Sequence, residues 1–137
     1  MAVIVTADDD EGIRTVTART LRRAGHTVIA TADGTEALAA VRAHRPDIVV
    51  TDVDMPGMDG LRLCWALRAE HLLQHIPVLV VSVSTDLHNE QITDAGVSAV
   101  LAKPWSPAQL LHHVDDRLAR QATPAVAGTA VGAACAG

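Results

Sequence analysis

The stretch Asp47-Ile48-Val49-Val50-Thr51-Asp52-Val53-Asp54-Met55-Pro56-Gly57-Met58-Asp59-Gly60 decides the fold. Residues 48–51 are apolar or β-branched without polar alternation, the pattern of a strand buried on both faces of a parallel sheet. Asp52 stands where that strand must end, because Pro56, Gly57 and Gly60 force a loop behind it. Open α/β sheets bind ligands in the crevice outside the carboxyl ends of their strands. A carboxylate placed there is a candidate for chemistry, although a single Asp taken alone is more simply a helix cap or turn residue.

Outward from this stretch, the chain repeats one unit. Residues 2–7 form an apolar, β-branched strand ending in Asp8-Asp9-Asp10-Glu11. A helix follows, with Ile13, Val16, Thr17, Leu21 and Ala24 near helical spacing and Gly25 as its stop. Residues 27–31 are a second strand. Thr35 is the expected N-cap of a second helix, which carries Ala37, Leu38 and Val41 and must end before Pro46. After the central strand, Gly60 opens a third helix with Leu61, Cys64 and Leu67 inward. Residues 78–83 are a fourth strand, residues 84–95 a short fourth helix with a sparse apolar stripe, and residues 97–101 a fifth strand leading to Lys103-Pro104-Trp105. Ser106 and Pro107 suit the N-cap and first position of a fifth helix whose stripe is Leu110, Leu111, Val114 and Leu118. Strands alternating with helices predict an α/β fold. Right-handed crossovers favour a doubly wound parallel sheet of five strands in the order 2-1-3-4-5, flavodoxin-like.

Composition narrows the function classes. The 137 residues suit one domain, expected at 1–120, with a flexible Ala/Gly-rich tail at 121–137 that carries no charge. Phe and Tyr are absent, so aliphatic side chains must fill the core. A net charge of −5 and the lack of a basic run argue against a nucleic-acid partner. Cys64 and Cys135 lie far apart and are expected to be unpaired thiols in a reducing cytoplasm. No stretch approaches the roughly 20 apolar residues of a membrane span, and the first residues lack the basic region of a signal peptide. A soluble cytoplasmic protein without a membrane partner is the expectation.

Four strand ends carry polar groups: Asp8 and Asp9, Asp52, Ser82 and Lys103. In a parallel sheet they lie on one edge and can converge. Three carboxylates in one pocket repel, so a cation must offset them or some must be protonated. Hard oxygen donors without clustered His or Cys suit Mg²⁺. A lysine ammonium and a hydroxyl beside a metal-bound carboxylate make a site for a phosphoryl group, and a carboxylate can be the nucleophile that accepts it. His71 and His75, and the pair His112-His113, lack a third ligand and are read as surface residues. Trp105 is expected to be half-buried against the fifth helix. Trp65 lies off the inward stripe of the third.

These residues resemble the receiver domain of two-component response regulators, over about residues 2–120. The matching pieces are Ala7-Asp8-Asp9-Asp10, residues 51–60, residues 77–82, and Ala95-Gly96 through Lys103-Pro104. The resemblance implies a stand-alone signalling module that assists its own phosphorylation and dephosphorylation and is not an enzyme. Asp52 would be the phosphoacceptor. Asp9 would bind Mg²⁺ directly, Asp8 through water, Asp52 through its carboxylate and Asp54 through its backbone carbonyl. Ser82 would be the switch hydroxyl, Lys103 the ion-pair partner of the phosphoryl group, and the bond before Pro104 would be cis. The phosphoryl would come from the phosphohistidine of a sensor histidine kinase or a histidine phosphotransfer protein, and the phosphorylated state would bind an unnamed downstream protein.

Three features depart from the family pattern. Val100 stands where the family often has an aromatic residue that swings with the switch hydroxyl. Val83 follows the switch hydroxyl where a small residue is usual. No output domain is expected after the fifth helix. Two other classes fit parts of the chain. Asp52-Val53-Asp54 matches the DxD start of aspartate-nucleophile phosphatases, but their acidic pair follows the nucleophile and here it precedes it. A receiver-like docking domain that works without phosphorylation would not need the full acidic set.

Overall fold

Every residue of the two central strands, β3 (Ile48–Asp52) and β4 (Val78–Ser82), is buried. The computed structural model describes residues 2–82 and 95–122. β3 and β4 pair in parallel with each other. β1 (Val3–Ala7) pairs with β3 on one side, and β5 (Ala99–Ala102) with β4 on the other. β2 (Thr27–Thr31) completes a five-stranded sheet of order β2-β1-β3-β4-β5. The described helices are α1 (Glu11–Arg23), α2 (Gly34–His44), α3 (Gly60–Ala69) and α4 (Pro107–Ala122), the last being the fifth expected from sequence. The expected fourth helix, Val83 and the tail beyond residue 122 lie outside the described residues.

Successive strand side chains point to opposite faces, so each strand feeds two cores. Val5, Val49, Val78 and Val80 pack with Ala37, Leu38 and Val41 of α2 and Leu63, Cys64 and Leu67 of α3. Ile4, Ile48, Val50, Leu79 and Val81 pack with Ala18 and Leu21 of α1 and Leu110 and Val114 of α4. The doubly wound arrangement holds, with an aliphatic interior on both sides. Cys64 is a free, buried thiol, and burial pushes its pKa up, which makes it a poor nucleophile. Trp105 packs half-buried against the second core as expected, while Trp65 is 55% exposed.

Several local expectations are corrected. The N-cap of α2 is Asp33, not Thr35: its backbone is extended and its carboxylate accepts from Glu36 N at 2.8 Å. On α3 Leu63 is buried together with Cys64 and Leu67, and Leu61 is half-buried against the same core. On α1 the buried residues are Thr17, Ala18 and Leu21, while Val16 is 49% exposed. β5 starts two residues later than expected, since Ser98 Oγ accepts from Val78 N ahead of the ladder. The α4 start is as expected: Ser106 Oγ accepts from Gln109 N at 3.1 Å and Gln109 Oε1 accepts from Ser106 N at 2.8 Å, a reciprocal capping box. That helix runs through Ala122, past the expected domain boundary at 120.

Gly60 does more than open a loop. A Cβ built there would come within 2.2 Å of the backbone oxygen of Asp52. Gly60 N also donates to Val53 O at 2.9 Å, so the first turn of α3 lies directly on the end of β3. Gly60→Ala is expected to destabilise the fold by roughly 1–3 kcal/mol, the cost of overpacking a site that cannot yield. Urea unfolding measures it; an unchanged midpoint would show that the strand end moves freely.

Candidate functional site

The pairing of Ala7 with Thr51, Asp52 with Val81 and Ser82 with Ala102 brings the expected site residues to one end of the sheet. Asp8 and Asp52 stand side by side at the ends of β1 and β3. Ser82 ends β4, and Lys103 follows β5. The backbone ties the last two together, Lys103 N donating to Ser82 O at 2.9 Å. Lys103 Nζ lies 3.2 Å from Asp52 Oδ2 and 3.6 Å from Asp8 Oδ2. The Lys103–Pro104 peptide bond is cis. Asp52 is buried to 8% exposure, and Ser82 to 3%.

The acidic run divides its work. Asp10 caps α1, its carboxylate accepting from Ile13 N at 2.9 Å. Asp8 turns inward, and its Oδ1 accepts from Asp10 N at 2.9 Å. Asp9 is exposed. Carboxylate oxygens of Asp8, Asp9 and Asp52 all lie within 4.8 Å of one another, the one group among the described residues able to hold a metal ion. His71 and His75 are exposed and belong to no such group. Asp54 is exposed in the loop after β3.

Burial and the neighbouring charge of Asp8 raise the pKa of Asp52, and the Lys103 ammonium pulls it back down. Burial is the largest of these effects. Three carboxylates thus share the pocket with one ammonium.

Two wider features surround this cluster. Arg14 Nη1 donates to Asp8 O at 3.0 Å, bracing the strand end from α1. An open, largely apolar groove of about 560 Å³ runs from Asp10 and Lys103 along Ile13, Val16, Pro104, Trp105 and Pro107. Neither is legible from periodicity: Val16 reads as core, and Arg14 reads as a solvated charge.

With this geometry in view, comparison with known proteins decides the family. Residues 4–115 match the family model of the response regulator receiver domain. The chain belongs to the response regulator receiver domain family. The DNA-binding response regulator MtrA of Mycobacterium tuberculosis is 34% identical over 118 residues, covering 85% of this chain and 50% of that protein. The response regulator MprA of Mycolicibacterium vanbaalenii is 37% identical over 123 residues, covering 88% and 52%. The chain thus spans about half the length of the curated relatives it matches. Among solved structures, the Vibrio cholerae chemotaxis protein CheY4 superposes with a TM-score of 0.81 at 32% identity, covering 85% of this chain and 98% of that one. A response regulator of Chloroflexus aurantiacus gives 0.81 at 33%, covering 87% and 98%. Receiver domains are signalling modules, and this receiver shares their fold. No described helix is long and apolar enough to cross a membrane.

The raised pKa of Asp52 has a consequence for stability. Folded-state protonation is favoured, so the side chain contributes most below the ordinary carboxyl pKa and that contribution is lost as pH rises through the raised folded value. At neutral pH without divalent cations, Asp52→Asn is expected to raise the melting temperature. The gain should shrink as pH falls towards 4, the ordinary carboxyl range. Thermal melts of both proteins in chelator across this range check it; a variant that is less stable at neutral pH would contradict the assigned strain.

Proposed function

We propose that this receiver accepts a phosphoryl group on Asp52 from a phosphohistidine and binds a partner differently in the two states. The observation that supports it best is the placing of Asp52 at the end of β3 with Lys103 Nζ 3.2 Å away and Asp8 and Asp9 beside it. In the transfer, a carboxylate oxygen of Asp52 forms the new bond to phosphorus. The bond to the donor imidazole nitrogen breaks, and its electron pair returns to that nitrogen. Lys103 faces the negative charge on the phosphoryl oxygens, moving from a carboxylate partner to a phosphoryl partner without leaving the pocket. The Ser82 hydroxyl donates to a second phosphoryl oxygen.

The donor set also fits Mg²⁺. The ion holds oxygens at about 2.1 Å, so ligands on opposite sides of it lie about 4 Å apart. Carboxylate oxygens within 4.8 Å of one another reach that spacing with small side-chain shifts or one bridging water. Asp9 and Asp52 would hold the ion directly, Asp8 through water, and Asp54 through its backbone carbonyl. Bound there, Mg²⁺ supplies charge neutralisation for the phosphoryl oxygens and the crowded carboxylates.

The apolar groove is the approach for the donor protein. It is bounded by Lys103 of the site and by Asp10 next to it, so a histidine kinase or phosphotransfer protein seated on Ile13, Val16 and Trp105 brings its phosphohistidine to Asp52. A phosphorylated downstream state rests on Ser82 and Lys103. Val100, short and 39% exposed, offers no aromatic ring to move with them.

Three experiments test this reading. With Mg²⁺ and a small phosphodonor such as acetyl phosphate, wild type is expected to form an acid-stable, base-labile acyl phosphate that Asp52→Asn does not form. Sustained turnover to free phosphate would indicate a phosphatase, and labelling of the variant would displace Asp52. Val16→Asp is expected to label normally with acetyl phosphate but to slow transfer from a cognate phosphohistidine protein by about tenfold or more, an interface loss of about 1.4 kcal/mol. Equal slowing with both donors would place Val16 in the fold rather than the docking face. Ser82→Ala is expected to be phosphorylated yet to lose most of the amide chemical-shift changes that an acyl-phosphate mimic induces around β4 in wild type. Retention of the full pattern would route the switch elsewhere.

A further inference from the structure

β2 is an edge strand, and its free side borders α1. On the paired side, Thr27 N donates to Ala2 O at 2.8 Å and Thr31 O accepts from Asp8 N at 3.1 Å. Backbone groups alternate in direction along a strand, so those of Val28 and Ala30 point away from β1. Arg22 Nη2 already covers the outward oxygen of Val28 at 3.1 Å. Ala30 is exposed and lines a groove of about 470 Å³ together with Arg14, Arg19, Arg22 and Arg23. Among the described residues, none of these guanidiniums is paired with a carboxylate. The one acidic residue of α1, Glu11, sits at its opposite end from Arg22 and Arg23.

An unpaired strand edge is a template for pairing with another chain, and charge is the usual guard. Here the guard selects. Two copies of this edge repel each other, whereas an acidic strand is drawn to it. The spacing fits as well. Alternate residues of a strand lie about 6.6 Å apart on one face, and helix positions four apart, such as Arg19 and Arg23, are separated by about 6 Å along the axis. Arg forks bind carboxylates bidentately at such positions. No aromatic side chain lines the groove to stack a nucleobase.

We propose that the β2 edge and the arginine groove of α1 form a docking site for an extended acidic segment of a partner protein. The segment pairs through its backbone with Ala30 and through alternate carboxylates with Arg19 and Arg23. This groove shares no lining residue with the donor groove, which lies nearer the N-terminus of α1, so it can be occupied while Asp52 is phosphorylated.

The probe is a short fluorescein-labelled peptide alternating Glu and Val, titrated into the full chain and read by fluorescence anisotropy. Binding is expected to weaken with added salt and to fall about tenfold or more in Arg19→Glu/Arg23→Glu. Both side chains are exposed, and circular dichroism with acetyl phosphate labelling of Asp52 verifies that the variant folds. In ¹⁵N-labelled protein the amide of Ala30 is expected to shift on binding. The same peptide N-methylated at alternate amides is expected to bind more weakly, because strand pairing is blocked. No binding by the parent peptide, or equal binding by the variant, would overturn the proposal. So would a methylated peptide as tight as the parent, or inorganic polyphosphate binding as tightly without a shift at Ala30, since a bare anion patch would then explain the groove. Concentration-dependent dimerisation lost in the variant would also overturn it, assigning the edge to a second copy.

Discussion

The carboxylates of Asp8 and Asp52 stand at neighbouring strand ends with side chains only 10% exposed, and Lys103 Nζ reaches both, at 3.6 and 3.2 Å. Two buried like charges at this distance are costly, and an unpaired one costs several kcal/mol. The rest of the architecture serves to keep that ammonium in place. Lys103 follows β5, whose pairing with β4 is continued by the bond from Lys103 N to Ser82 O. Asp52 is held by its pairing with Val81 of β4 and by the close seat of Gly60 on its carbonyl. Asp8 is held by its own acceptance from Asp10 N and by Arg14 on its backbone oxygen. One lysine does not neutralise this cluster, and burial still raises the Asp52 pKa. The residual negative field is what a divalent cation would relieve, and it makes the site responsive to a change of charge on Asp52.

Much of this was legible in the sequence because the strand ends carry unlike residues after like strands. Apolar runs ending in Asp8, Asp52, Ser82 and Lys103 place two carboxylates, a hydroxyl and an ammonium at one sheet edge once the sheet is parallel, and the register has them there. The caps were partly legible. Ser106-Pro107 carries two independent start signals and was correctly placed. Asp33-Gly34-Thr35 offers two capping side chains, and only the backbone decides between them: Asp33 is extended, whereas Thr35 already lies inside the helix. Gly60 read as a loop former. Its role against Asp52 O depends on a tertiary approach that no local pattern encodes.

The error on α1 is the informative one. Periodicity placed Ile13, Val16, Thr17 and Leu21 on one stripe, yet the buried residues are Thr17, Ala18 and Leu21. At about 100° per residue, the true inward arc is rotated away from Ile13 and Val16 towards Ala18. A stripe of apolar side chains is a statement about burial against something, and the sheet need not be the only surface available. Val16 remains 49% exposed on a groove that begins at Lys103. An apolar residue that the core does not take, beside the site proposed to receive a phosphoryl group from another protein, fits a docking face better than misplaced packing.

The two grooves divide α1 along its length. With Thr17, Ala18 and Leu21 against the sheet, the N-terminal half of α1 lines the groove towards the β5–α4 loop through Ile13 and Val16, and its C-terminal half lines the groove at β2 through Arg19, Arg22 and Arg23. The N-terminus of the helix stays at the acidic cluster, where Asp10 occupies the first free amides and so leaves Asp8 and Asp9 to the pocket. A helix of 13 residues thereby meets the acidic cluster with its first turn, an apolar groove with its N-terminal half and an edge strand with its C-terminal half. Because Arg14 links its second turn to Asp8 O, a shift of that strand end would be passed on to the helix. Both grooves would then report on the state of the pocket through rigid packing, with no aromatic side chain in the path.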